Sequence, residues 1–132
     1  MNLLFEECKS ALGENINIID DLKQQEIILN ILDTYLTEFN TIDLSIVSHC
    51  DYPSVNVLLE TKINFLNDSV YVVADSLEVP IFECKLKHIL DKIEDVTALS
   101  PKIFIFNNRF LLQEIFPSSI LRFSQKRSIY IP

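Results

Sequence analysis

Apolar positions along the chain follow two different periods, and the switches between them mark out the elements. Leu4, Cys8, Ala11 and Leu12 fall three to four residues apart and Gly13 follows them, the pattern of a short helix closed by a glycine cap. From about Asn17 the helical period resumes through Ile18, Leu22, Leu29, Leu32, Leu36 and Phe39. Ile28, Ile31 and Tyr35 widen that stripe, which predicts a second helix buried over most of its surface. Its remaining polar positions, Glu26, Asn30, Asp33 and Thr37, share one face and should be exposed. Ile42, Leu44 and Ile46 then alternate with Asp43, Ser45 and Val47, as in a half-buried strand, and Cys50-Asp51-Tyr52-Pro53-Ser54 is expected to turn the chain.

Residues 55–65 fit both periods. Val55, Val57, Leu59, Thr61, Ile63 and Phe65 alternate, whereas Val55, Leu58, Leu59 and Leu66 are spaced for a helix. A strand is preferred, because Asn67-Asp68 then closes a hairpin into Val70-Tyr71-Val72-Val73. Ser76 to Glu83 contains Pro80 and reads as a connection or an edge strand. Leu86, Ile89, Leu90, Ile93 and Val96 predict a third helix ended by Ser100-Pro101. Ile103 to Phe106 and Phe110 to Phe116 form a second hairpin across Asn107-Asn108. Pro117-Ser118-Ser119 starts a short helical or irregular piece before a last strand at Ser128 to Ile131. Strands joined by short turns favour antiparallel pairing, so the order predicts one α+β domain over residues 1–132. Its N-terminal helices would pack on a mainly antiparallel sheet, with one further helix between strand hairpins.

Composition changes the picture in three places. The charge is split along the chain: residues 1–60 hold eleven carboxylates against Lys9 and Lys23, a net of −9, while from residue 96 onward Lys102, Arg109, Arg122, Lys126 and Arg127 face Glu114 alone, a net of +4. An overall charge of −8 argues against direct nucleic-acid binding, which draws its free energy from neutralising phosphates, and for a basic partner. The basic segment Arg122-Phe123-Ser124-Gln125-Lys126-Arg127, with Tyr130 beyond, mixes cations and aromatics; it reads as a solvated turn that pairs with the acidic half of the same fold. A single glycine, Gly13, excludes the glycine-rich loops that cradle nucleotide phosphates. Three widely spaced cysteines suit reduced thiols, and an acidic start without a long apolar run fits a mature, soluble, cytoplasmic protein with no membrane segment.

Candidate chemistry is sparse. Cys84 with His88 and His49 with Cys50 contain the atoms of a Cys2His2 metal site, but neither pair has the short clamp spacing such sites use, and neighbours on a strand point to opposite faces. A Cys–His nucleophile built on Cys84 or Cys50 lacks an orienting third group and an oxyanion-binding loop. No Gly-x-Ser-x-Gly elbow is present. The carboxylate pairs Glu6-Glu7, Asp20-Asp21 and Glu94-Asp95 suit solvated helix faces and helix starts better than acid–base work. Neither enzymatic activity nor a cofactor or metal is expected.

The run Val72-Val73-Ala74-Asp75, Ile81-Phe82-Glu83-Cys84, the helix through Asp95, Leu99-Ser100-Pro101-Lys102-Ile103-Phe104-Ile105-Phe106 and then Phe110-Leu111-Leu112 resembles small acidic immunity proteins that neutralise toxins of bacterial competition systems, including contact-dependent inhibition. The resemblance covers the C-terminal half and rests on element order, size and charge. It implies a stoichiometric inhibitor that caps a cationic toxin domain, often a basic nuclease, by complementary charge and shape. Asp20, Asp21, Glu26, Asn30 and Asp33 are the expected partner-binding residues, on a monomer or homodimer. The alternative is an acidic secretion chaperone that binds an effector segment as a homodimer.

Overall fold

A computed structural model describes residues 2–38, 41–115 and 120–126. Asn2 opens helix α1 (Leu3–Leu12): its side-chain oxygen accepts the N–H of Phe5 at 3.0 Å. Gly13, at φ 62°, closes it. Phe5, Cys8 and Leu12 are its buried residues, while Leu4 is exposed. The chain then forms strand β1 (Asn17–Ile18) where a helix was expected. The second helix, α2, runs only from Leu22 to Asp33. Asp21 sets its start by accepting the N–H of Lys23 at 2.9 Å, so Asp20-Asp21 precedes the first turn and does not lie within it. Its end is set by Tyr35, whose side chain turns into the core, and by Leu36, which bridges to Ile42. Phe39 lies outside the described residues.

Strand β2 spans Val47–Tyr52, later than the alternation predicted. Asp43 accounts for the difference: one carboxylate oxygen accepts both the N–H and the hydroxyl of Ser45, folding residues 43–46 into a turn. Cys50 to Tyr52 therefore extend the strand, and the turn comes at Pro53-Ser54. Residues 55–65 are helical, against the strand preference. Ser54 accepts the N–H of Val57 to start α3 (Val55–Thr61), Leu58 is buried at its centre, and a 3-10 turn follows at Ile63–Phe65. Asn67-Asp68 consequently leads from that turn into β3 (Ser69–Ala74) and makes no hairpin. Pro80 lies in the connection before β4 (Phe82–Lys85), clear of the ladder.

The expected third helix is broken into α4 (Leu86–Asp91) and α5 (Ile93–Thr97) by Lys92, whose φ −121° and ψ 35° are not helical. Cys84 is on β4, not on a helix. The hairpin of β5 (Ile103–Phe106) and β6 (Leu111–Ile115) forms as expected; the Asn107 side chain accepts the N–H groups of Arg109 and Phe110 in its turn. Strand β7 (Ile120–Lys126) occupies the segment expected to be a solvated turn, because Leu121, Phe123 and Ser124 are buried. The strand expected at Ser128 to Ile131 and the piece at Pro117-Ser118-Ser119 lie outside the described residues.

All pairings among the described residues are antiparallel, in the order β1-β4-β3-β5-β6-β7-β2, and these residues form a single-sheet α+β fold. Successive strand residues face opposite sides. Val70, Val72, Ile103, Ile105, Leu112 and Phe123 pack with Phe5, Cys8, Leu58, Leu86, Ile89 and Val96, which places α1, α3, α4 and α5 on one face. Phe104, Phe106 and Leu111 with partly buried Tyr71 and Val73 pack with Ile28, Leu32 and Tyr35, which places α2 on the other. The two N-terminal helices thus cover opposite faces, and all four residues of β5 are buried.

Candidate docking surface

Helix α2 is held lightly and at both ends. Near its start the Gln25 side-chain amide donates to the carbonyl of Ile19 at 2.8 Å, and Ile19 is tied through its own N–H to Ile81. Beyond its end the Tyr35 hydroxyl donates to the carbonyl of Asn107 at 2.7 Å. Between those points only Ile28 and Leu32 are fully buried, worth roughly 3–6 kcal/mol together. The expectation of a largely buried second helix is therefore wrong. Leu22 is 78%, Ile27 60% and Leu29 41% exposed.

All five predicted partner-binding residues, Asp20, Asp21, Glu26, Asn30 and Asp33, are exposed and gathered at or along this helix. At about 100° per residue, Glu26, Asn30 and Asp33 project away from Ile28 and Leu32, and Lys23 joins them on the outer face. Leu22 and Leu29 lie along one flank of the stripe and Ile27 along the other. A recess of about 210 Å³ borders the Ile27 side, walled by Ile19, Gln24, Tyr71 and Glu83. One of about 230 Å³ borders the Leu29 side, walled by Asp33, Leu36, Val73, Asp75, Lys102 and Phe104. The helix stands between them as a ridge. Its apolar shoulders were missed in the sequence, although apolar residues at 22, 27, 28, 29, 31 and 32 surround more of the helix than one sheet face can cover.

Four cations of the positive end, Lys102, Arg109, Arg122 and Lys126, are engaged within the fold. Arg122 forms a two-point ion pair with Asp51 at 2.8 and 3.0 Å across β7 and β2, and Arg109 forms one with Asp68 at 3.0 and 2.9 Å. Lys126 sits 4.5 Å from the centre of the Tyr35 ring, and Lys102 5.5 Å from that of Phe104. The expected pairing of the basic segment with the acidic half is thus seen at Arg122 and Asp51. Among the described residues, the carboxylates of Asp20, Glu26 and Asp33 have no ion-pair partner, and together with Asp21 they outnumber Lys23, so the outer face of α2 is net negative.

The remaining candidate groups are dispersed. His49 and Cys50 are on β2 and Cys84 is on β4, five strand spacings or roughly 24 Å away across the sheet. Among the described residues no three metal-binding side chains cluster. Burial raises the Cys84 thiol, and burial together with Asp95 and Cys84 pushes Cys8 up to about 11, opposite to the direction that activates a nucleophile. Among the described residues no helix is long and apolar enough to cross a membrane.

Sheet, exposed acidic helix and internally paired basic strand define a small α+β domain with a projecting acidic surface and no clustered catalytic or metal-binding groups among the described residues. The chain belongs to the family of CdiI immunity proteins of EcoliA0-like type, whose model matches residues 2–124. It is an immunity protein of bacterial contact-dependent inhibition, acting against a toxin. No curated protein matches the sequence.

Proposed function

We propose that the chain neutralises one cognate toxin domain in the cytoplasm by forming a stoichiometric complex, with α2 as the contact surface. The observation that carries this reading is the outward stripe of Glu26, Asn30 and Asp33, with Asp20 and Asp21 at its head, on a helix whose carboxylates have no ion-pair partner among the described residues. Negative charge fixed on a helix steers a cationic partner toward one orientation and raises the association rate. A toxin domain with a basic face, as a nuclease needs to hold phosphates, is the complementary partner. The chain works by occupying that face: it needs neither a cofactor nor catalysis, and it does not touch nucleic acid itself.

The test is co-expression with the toxin domain encoded beside it, followed by calorimetry on the purified pair. Protection from toxicity and one-to-one binding that weakens with added salt support the reading. A charge-reversed Glu26→Lys/Asp33→Lys variant with the same affinity and the same salt dependence as the parent rules out the stripe as the contact face.

A further inference from the structure

We infer that Leu22, Ile27 and Leu29 are the contacts that hold the toxin domain in place, and that its complementary surface is an apolar cleft rimmed by cations. This rests on the immunity reading above and adds what the charge stripe cannot supply. Surface charges set encounter rate and orientation, whereas the lifetime of a complex is set mainly by apolar side chains that become fully desolvated at its centre. Leu22, Ile27 and Leu29 are left 78%, 60% and 41% exposed within one twelve-residue helix, whose packing on the sheet centres on Ile28 and Leu32 with partly buried Ile31. Their arrangement matches an anchor set: Leu22 and Leu29, two turns apart, and Ile27 across the stripe, with a recess on either side of the ridge into which the rim of a cleft can descend.

Charge decides the occupant. A second copy of this chain would bring four carboxylates and one cation, Asp20, Asp21, Glu26, Asp33 and Lys23, against the same set, a net like-charge juxtaposition that opposes association. A cationic rim meets those carboxylates favourably while the cleft takes the leucines and the isoleucine. The ridge therefore fits a protein cleft of opposite charge.

The experiment measures association and dissociation rates of the toxin domain encoded beside the chain, at low and high salt, for the parent, Leu22→Ala, Ile27→Ala and Glu26→Gln/Asp33→Asn. Because the truncated side chains are exposed, the variants keep the parental fold, checked by circular dichroism. Each apolar truncation is expected to speed dissociation about tenfold at every salt concentration and to leave the salt slope unchanged. The charge-neutralised variant is expected to slow association and flatten the slope. Unchanged dissociation in both truncated variants, with the parent binding, overturns this inference alone. A parent that neither binds nor protects overturns the immunity reading with it. A chain that sediments as a dimer by itself and becomes monomeric in Leu22→Ala assigns the ridge to a second copy and also overturns the inference.

Discussion

Replacing Tyr35 with phenylalanine removes one hydroxyl from the point where α2 is fastened to the sheet. The ring is fully buried, its hydroxyl donates to the Asn107 carbonyl at 2.7 Å, and Lys126 lies against its face. Phenylalanine keeps the buried area and the ring face, so the change isolates the hydrogen bond and leaves a carbonyl in the β5–β6 turn without its donor. A net bond of this kind plus partial loss of satisfaction for a part-buried carbonyl comes to about 1–2 kcal/mol. For a domain of this size that lowers Tm by roughly 4–8 °C. Urea unfolding followed by circular dichroism should show a lower midpoint with an unchanged slope. Burial also pushes the Tyr35 phenol up to about 12, above its ordinary value of 10. A folded-state value above the unfolded one favours the protonated phenol in the native state. Its contribution is complete below about pH 10 and is lost as pH rises through about 12. Tyr52 and Tyr71 are raised as well, so the signature is a difference: the stability gap between parent and Tyr35→Phe narrows over that window. Equal stability of the two proteins near neutral pH would refute the role given to this hydrogen bond, and a gap that does not narrow on alkalinisation would refute burial of the phenol.

Three further outcomes are expected. A double-mutant cycle on Asp51→Asn and Arg122→Met should give a coupling of about 0.5–1 kcal/mol, discounted because the two side chains are 40% and 25% exposed. The hydrogen bond from Arg122 holds the Asp51 carboxyl below its ordinary value, so this coupling is present above the ordinary carboxylate pKa and disappears as pH falls through the folded one. Of the three thiols, Cys50 is exposed and should react with a disulfide reagent within the native state, while Cys8 and Cys84 react only on unfolding; rapid modification of more than one refutes the burial. The Ser124 hydroxyl is buried without a hydrogen-bond partner among the described residues, so Ser124→Ala should leave stability unchanged or raise it by about 1 kcal/mol in thermal melts.

The fold class was legible because β3, β5 and β6 are the strongest apolar runs and the Asn107-Asn108 turn joins two of them. What failed was decided by single polar side chains that interrupt a period. Asp43 captured Ser45 and displaced β2, Ser54 capped a helix where alternation suggested a strand, and Asp21 began α2 well after its apolar period. Apolar spacing does not say which of two helices crosses which face, so α2 was taken for a buried helix. Its acidic stripe was legible all the same, since Glu26, Asn30 and Asp33 share a face wherever the helix starts. The apolar shoulders were not, because a leucine spaced for a core and a leucine spaced for a partner look alike until burial separates them.

The most direct test of α2 as the docking surface is hydrogen–deuterium exchange on the chain alone and in complex with the toxin domain encoded beside it. Slowed exchange concentrated in residues 20–33, with the α1, α3, α4 and α5 face unchanged, is the predicted result. Protection on that opposite face or along the β2 edge, with α2 exchanging as it does in the free protein, would contradict the account.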